Sequence, residues 1–483
     1  MRGIVPLKGR TVEVLSKEEI LQIHQAVLEV LKDPGVKIEH EEALEILGRA
    51  GAEIDQAKQI AHIPSFLVER ALAQAPHLVT LYGRDSRYDI KIGSGEVHFG
   101  NGHGASWVVD FDTGERRPAT KKDLENLTRI HDALENTHCL LCEIIAQDVP
   151  TQALSRHTCQ AMVNNTEKPL YLQAFDGKGA KDAIRMGIAI AGSEEALRRR
   201  PMYMLSIGVV SPLLFERERV DVLLEACRFG LPLQVYSIPA AGGTAPVTLA
   251  GTLVMQIAEL LAGVTLGQLV RPGIPILPLG ICSIMDQKYG SFTFACPEKA
   301  LMAGAIAQIL RYCGLPPGIH GATTNANVLD AQVGYETGVM NVFSALSGGG
   351  MICEGTASAI ENTRLSVYEQ AAIGNEICGM VYRVLRGIEV TPDTLAVNVI
   401  REVGPGGQFL AHSHTREHYR LENWEPKLSN RMTREEWEES GARDVREMAR
   451  EEVKRILATH HPKPLDKDVQ KKLQQIVKEA EGA

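Results

Sequence analysis

Seven times between residues 140 and 386 a short apolar run is followed by a stretch of helical periodicity, and that alternation limits the fold more than any other feature of the chain. The runs 140–146, 170–175, 202–207, 233–238, 274–281, 319–321 and 351–353 read as buried strands. The windows 151–165, 180–192, 214–229, 247–269, 297–313, 329–347 and 363–386 read as the helices between them. One further strand from the region 97–111 makes eight units. Eight units favour a (β/α)8 TIM-type barrel over an open doubly wound sheet. Chemistry in such a barrel belongs at the C-terminal ends of the strands. Gln147, Gln173, Ser206, Ser211, Tyr236, Ser283, His320 and Glu354 fall near those ends.

The flanks differ in character. Ser16 and Glu19 form a capping box ahead of Ile20, Ile23, Val27, Val30 and Leu31, which recur at helical spacing. A second helix over 41–50 stops at Gly51, suited to a left-handed C-cap, and a third ends before Pro76. Residues 1–80 therefore read as a helical preface, and 1–90 as an N-terminal helical extension to a barrel spanning 91–410. Thr120 and Asp123 cap the first helix after the strands of the 97–111 region. After the glycine-rich turn 403–407 the composition becomes charged, and residues 411–483 read as a helical tail that packs on the barrel or on a second subunit.

Several functional classes are excluded. A net charge of −9 with both signs interspersed, and no basic stripe, argues against nucleic acid. No run of eighteen apolar residues is free of polar breaks, since 254–270 contains Gln256, Glu259 and Gln268, and the first ten residues lack a signal-peptide core. A soluble cytoplasmic protein is expected. Nine cysteines without regular spacing suggest reduced thiols; Cys139 and Cys142 point to opposite faces of a strand and cannot share a metal there. The glycines of 100–106 lack dinucleotide spacing and read as a tight loop with Asn101 and His103 as wall candidates, or simply as a glycine-rich hairpin.

The stretch 314–338, GLPPGIHGATTNANVLDAQVGYETG, concentrates polar side chains where a strand meets a helix capped by Asp330. Together with LSKEEILQIHQAVLEVL (15–31), DTGERRPAT (112–120), LVRPGIPIL (269–277), ACPEKAL (295–301), EICGMVYRVLRGIEV (376–390), REVGPGGQFLAHSHTREHYR (401–420) and HPKPLDKDV (461–469), it resembles the trimethylamine:corrinoid methyltransferase family along nearly its whole length. The resemblance implies a barrel enzyme that moves a methyl group from a methylated amine to the cobalt of a separate small corrinoid protein, and an oligomer. No DxHxxG, Walker A loop or S-adenosylmethionine glycine motif is present, so cobalamin is expected on the partner rather than tightly bound to this chain. The trimethylamine enzymes of the family contain pyrrolysine, which is absent here; members without it resemble glycine betaine methyltransferases acting on quaternary amines. Many members carry His-Asp-Val-Gly where this chain has Cys353-Glu354-Gly355-Thr356, which puts glycine betaine itself in question.

A trimethylammonium group favours aromatic faces and a carboxylate. With aromatics at 5% of the chain, Trp107, Tyr203, Tyr236, Phe292, Phe294 and Tyr335 stand out near strand ends and site loops, although each also suits ordinary packing. His320 and Glu354 are the catalytic candidates; Asn101, Trp107, Tyr236, Asn325, Gln332, Tyr335 and Glu336 are the substrate-binding candidates. Arg364 and the backbone amides of 321–324 could meet a substrate carboxylate. His412, His414 and His418 suggest zinc as an alternative, but a quaternary nitrogen has no lone pair for a Lewis acid, so no metal is expected and a place at the barrel rim is. Besides a zinc-dependent barrel methyltransferase, a non-catalytic betaine-binding homologue fits the same residues.

Overall fold

The computed structural model describes residues 12–102, 104–321 and 323–482. At its centre runs a parallel sheet of seven strands in the order His98–Phe99, Met351–Cys353, Gly318–His320, Ile276–Gly280, Leu233–Ser237, Tyr203–Val209, Leu170–Gln173. Single parallel bridges from Cys139 to Gly100 and from Leu140 to Leu170 set an eighth segment between the two edges and close the ring. Each of the eight is followed by a helix: Lys121–Ala133, Leu154–Asn165, Gly177–Ala191, Arg217–Phe229, Leu249–Val270, Pro297–Tyr312, Ala331–Leu346 and Tyr368–Arg386. The fold is the (β/α)8 barrel that the alternation predicts.

The closing segment is far shorter than the expected strand over 140–146, and the reason is local. Asn101 sits in the seam and substitutes its side-chain amide for a backbone partner: the Leu141 N–H donates to Asn101 Oδ1 at 2.6 Å, and Asn101 Nδ2 donates to the Leu141 carbonyl at 3.2 Å. Gly102 follows because a Cβ there would lie 2.8 Å from Glu143 Oε1. Cys139 faces the inside of the barrel and Cys142 the helix layer outside it, as opposite strand faces require.

The N-terminal helices Lys17–Lys32, Glu41–Ala50 and Ser65–Gln74 form where expected, with the Ser16 capping box and the left-handed Gly51 in place. The segment is not purely helical. Val36–Ile38, Ile60–His62 and Glu53–Asp55 form a small sheet completed by Leu214–Phe215 of the barrel. A hairpin of Val79–Leu81 and Ile90–Ile92 then plugs the N-terminal end of the barrel, packing Val79, Leu81, Ile90 and Ile92 against Leu277, Leu279 and Met351.

Leu249–Val270 is long and apolar enough to cross a membrane by length and composition, yet most of it is buried, against the barrel wall and the helices Lys17–Lys32 and Ser65–Gln74. Its polar residues act as staples. Gln256 accepts from Ile281 N at 3.0 Å, Glu259 from Leu213 N and Ser211 Oγ at 2.9 Å each, and Gln268 from Gly273 N at 2.8 Å. In the tail, Val445–Thr459 buries Ala449, Val453 and Ile456 on Tyr368–Arg386 and Lys121–Ala133. Lys467–Glu481 lies on Gly177–Ala191 and Leu154–Asn165, so the tail packs on the barrel.

Candidate functional site

Three buried ionisable side chains meet at the C-terminal mouth of the barrel. His320 ends the strand Gly318–His320, Glu354 follows Met351–Cys353, and Lys299 turns inward from the first turn of Pro297–Tyr312. His320 Nε2 lies 2.6 Å from Glu354 Oε2, and Lys299 Nζ lies 2.7 Å from His320 Nδ1. An ammonium can only donate, so Nδ1 accepts from Lys299 and the Nε2–H donates to the carboxylate. Nδ1 also lies 3.1 Å from the Gly321 carbonyl, an acceptor that it could serve once protonated. One proton can therefore rest on Lys299 or on His320 without any atom moving. Burial disfavours it in both places: it pulls His320 below its ordinary value and Lys299 down to about 8.

Glu354 is held from several sides. Its carboxylate accepts from Thr323 Oγ1 as well as His320, and its N–H donates to the Asn101 carbonyl at 3.0 Å. Its backbone has φ of 63°, a left-handed conformation unfavourable for any residue with a Cβ. Such strain costs about 1–3 kcal/mol and persists where the surroundings impose it, most often at functional sites.

The carboxylate faces a cavity of about 140 Å³. Tyr171, Tyr236 and Phe294 supply aromatic walls, and Leu141, Ile238, Leu279 and Ile281 supply aliphatic ones. Its polar floor is neutral. Ser206 Oγ donates to Gln234 Oε1 at 2.7 Å, Gln234 Nε2 reaches Cys353 Sγ at 3.9 Å, and Gln173 Nε2 donates to the Tyr236 hydroxyl at 3.1 Å. The buried Tyr171 hydroxyl has no oxygen or nitrogen partner; its neighbour is the Cys353 thiol. Among the described residues Glu354 is the one acid in the lining, and no Lys or Arg lines the cavity. One carboxylate and three rings, with the Lys299 ammonium held behind His320 rather than in the cavity, form a receptor for a small organic cation. Around the mouth the strand-to-helix loops expose Val210, Ile238, Val247, Tyr289 and Val328.

Of the residues singled out in the sequence, His320, Glu354 and Tyr236 come together in this cavity. Gln173 and Ser206, named for their places near strand ends, line it as well, whereas most of the substrate-binding candidates do not. Asn101 is spent on the barrel seam and on Glu354 N–H. Trp107 lies in a rim sheet with Arg116 stacked 4.2 Å from its ring. Asn325 fastens two loops, accepting from Phe294 N at 2.8 Å and donating to Asn362. Glu336 braces the same loop, accepting from Thr324 Oγ1, from Asn325 N at 3.1 Å and from Gln332 Nε2 at 2.8 Å, while Tyr335 is exposed. Tyr203 is sealed under the helix layer with its hydroxyl on the Ala183 carbonyl, and Phe294 does line the cavity. His103 lies outside the described residues.

Lys299, Tyr171 and Gln234 were missed. The available signal for Lys299 was a lysine just ahead of the apolar run 300–307 of its helix, and for Gln234 a glutamine inside an apolar strand run. The histidines of the tail do not line this cavity. His412 pairs with Glu402 at 3.3 Å and His418 with Asp393 at 3.5 Å, while the rings of His414 and His418 stack. Among the described residues no group of three His, Cys, Asp or Glu side chains is placed to hold a metal.

Comparison with known proteins gives a consistent result. The family model described as Trimethylamine methyltransferase (MTTB) matches residues 4–482. A trimethylamine methyltransferase of Desulfitobacterium hafniense is 35% identical over 480 residues, covering 99% of this chain and 96% of that protein. A trimethylamine methyltransferase of Methanosarcina barkeri is 32% identical, covering 100% and 98%. A glycine betaine methyltransferase of Desulfitobacterium hafniense is 29% identical, covering 96% of each. Among solved structures, the monomethylamine methyltransferase of Methanosarcina barkeri superposes with a TM-score of 0.50 at 10% identity over 98% of this chain and 95% of that one, a likeness of fold.

Proposed function

Because the chain belongs to the trimethylamine methyltransferase family and is a methyltransferase, we propose that it transfers a methyl group from a quaternary amine to the Co(I) corrinoid of a partner protein. The observation that carries this reading is the cavity itself, an aromatic pocket at the barrel mouth with Glu354 as its single charge. A quaternary ammonium group placed against Tyr171, Tyr236 and Phe294 gains roughly 0.5–2 kcal/mol per ring and a carboxylate partner in a site screened from water. The apolar rim of Val210, Ile238, Val247, Tyr289 and Val328 suits a flat macrocycle carried on another protein.

When bound, the corrinoid supplies the nucleophile that accepts the methyl group. The chain's own residues then have three tasks. The rings and Glu354 fix the nitrogen, so that one N–CH3 bond points out of the mouth. The lining excludes water. The nitrogen departs as a neutral amine with no acid or metal to assist it, which fits a floor of neutral amides and hydroxyls. A betaine-type substrate meets no cation inside, so its carboxylate turns outward to the rim, whereas choline or tetramethylammonium needs nothing more than the cavity offers.

The test is an anaerobic assay with Co(I) cobalamin, and then with a cognate corrinoid protein, following the corrinoid absorbance change on methylation. The panel is tetramethylammonium, choline, glycine betaine, proline betaine, carnitine, γ-butyrobetaine and trimethylamine. Turnover with a quaternary member and none with trimethylamine supports the reading. Turnover with trimethylamine alone, or binding of quaternary amines without demethylated product, overturns it.

A further inference from the structure

Methyl transfer from a quaternary amine consumes no proton, yet the site contains a buried proton relay that the transfer step does not use. Lys299 is 1% exposed, and its ammonium has two polar partners, the Phe294 carbonyl at 2.8 Å and His320 Nδ1 at 2.7 Å. The Phe294 ring lies 5.0 Å away. The titratable groups that face it are His320 from the strand Gly318–His320, Glu354 beyond that imidazole, Cys282 from the loop after Ile276–Gly280, and Cys296 from the turn that begins its own helix. Burial pushes the Cys282 thiol up to about 12, so it stays neutral, and Glu259 faces Cys282 rather than the lysine. Glu354 is thus the one carboxylate that balances Lys299, and it is also the one carboxylate open to the cavity.

The same negative charge cannot satisfy two cations in a closed site. We propose that a substrate cation entering the cavity displaces the proton of Lys299, so that the site exchanges one positive charge for another, with His320 as the conductor between lysine and cavity. This rests on the reading that the substrate is a cation.

The geometry supplies the route. The N–H bond of Lys299 breaks with its electron pair left on Nζ, and the proton passes to His320 Nδ1. The Nε2 proton of the imidazole, 2.6 Å from Glu354, moves on to the carboxylate and from there to water at the cavity mouth. The net change is one ammonium in and one proton out: the imidazole ends as the Nδ1–H tautomer, facing the neutral Lys299 nitrogen and the Gly321 carbonyl, and Glu354, released from the Nε2–H, turns its charge to the substrate cation. After methyl transfer the substrate nitrogen is neutral, and the site, now one charge short, takes a proton back on Lys299 or on the departing amine. Lys299 touches no substrate and is a positioning residue that sets the charge Glu354 presents. Its proton is already loosely held, at about 8, so the arriving cation has little further to shift it.

The test is titration calorimetry of the whole protein with tetramethylammonium chloride, in buffers of different ionisation enthalpy at one pH, repeated across the pH range. Release of about one proton per cation is expected near pH 7, falling towards none above roughly pH 9, with affinity rising about tenfold per pH unit until Lys299 is neutral. Lys299→Met abolishes both the release and the pH dependence. Lys299→Arg, which cannot give up its proton, weakens binding at pH 7 by at least about tenfold. Binding by the wild type without proton release, or with a flat pH profile, overturns the exchange and leaves the cation site standing. An absence of binding by tetramethylammonium, choline and the betaines alike overturns the cation site and the exchange with it.

Discussion

The barrel buries a lysine at each end, and the two do different things. Lys168 precedes the strand Leu170–Gln173 at the plugged end; Lys299 sits at the open one. Burial brings each of them down to about 8. The Lys168 ammonium donates to the carbonyls of His131 at 2.9 Å and Leu134 at 2.6 Å, acceptors at the end of the helix Lys121–Ala133 that no further helical turn reaches. Asp132 stands beside it and takes its own bonds from Thr166 and His460. No part of that cluster faces the cavity. Lys168 is a C-terminal cap that happens to be charged. Lys299 instead reaches, through one imidazole, a carboxylate that a ligand can touch. A displaced proton affinity marks burial at both ends, and it marks a functional site only where a cavity adjoins it.

The comparison is sharpened most by Glu354→Gln. Replacing the carboxylate leaves the cavity's shape but removes its charge, and a cation buried without its partner costs about 3–5 kcal/mol. Binding of tetramethylammonium and the methylation rate at subsaturating substrate, each read per folded molecule, are expected to fall by two to three orders of magnitude, with some loss of stability because His320 and Lys299 lose the same partner. A variant with unchanged binding would place the cation elsewhere. At the other end, Lys168→Met is expected to destabilise the fold by about 3 kcal/mol, through the loss of two buried hydrogen bonds to carbonyls and of the positive charge beside Asp132, with activity per folded molecule unchanged. The sign of its pH dependence follows from the lowered value. Between about 8 in the folded chain and about 10.4 in the unfolded one, the unfolded chain binds more protons, so wild-type stability rises with pH. Lys168→Met lacks that gain, and denaturant titration should show its deficit widening across that interval. A loss of activity without loss of stability would erase the distinction between the two ends.

The two ends were unequally legible in the sequence. Apolar runs such as 170–175 and 233–238 became Leu170–Gln173 and Leu233–Ser237 because buried parallel strands need continuous apolar stretches. Capping at Ser16 and Thr120 formed as the local pattern requires. Three-residue strands such as Val36–Ile38 carry too little periodicity to read, and the partner that fixes this one, Leu214–Phe215, is remote in sequence. The site was legible where position on a strand decides direction: His320 and Tyr236 end strands, Glu354 follows one, and all three reach the cavity. It was illegible where the choice is between sides of a loop or helix. Gln332, Tyr335 and Glu336 share a polar segment with His320, yet Glu336 turns back to brace Thr324 and Asn325. Lys299 reads from the sequence as one more charge at a helix start; only the packed barrel turns it inward.

The smallest effect concerns the floor of the open end. The Tyr171 hydroxyl is buried without an oxygen or nitrogen partner, beside the Cys353 thiol, and its phenol is pushed well above its usual range by burial, so it remains neutral. A buried hydroxyl whose one neighbour is a weakly bonding thiol is a liability unless something better later pairs with it. At the plugged end the Lys168 donors go to the helix carbonyls. Tyr171→Phe keeps the ring and removes the oxygen. The substitution should raise stability by about 1 kcal/mol, because it relieves a desolvated donor. Tetramethylammonium, which can accept no hydrogen bond, should bind the variant as it binds the wild type. A substrate with a hydroxyl or carbonyl oxygen that reaches the floor should lose about tenfold in affinity, the worth of one hydrogen bond. If Tyr171→Phe destabilises the protein, the hydroxyl is paired in solution and the floor is structural, as the plugged end is. If it stabilises the protein and discriminates between the two kinds of cation, the floor reads the part of the substrate that is not its charge.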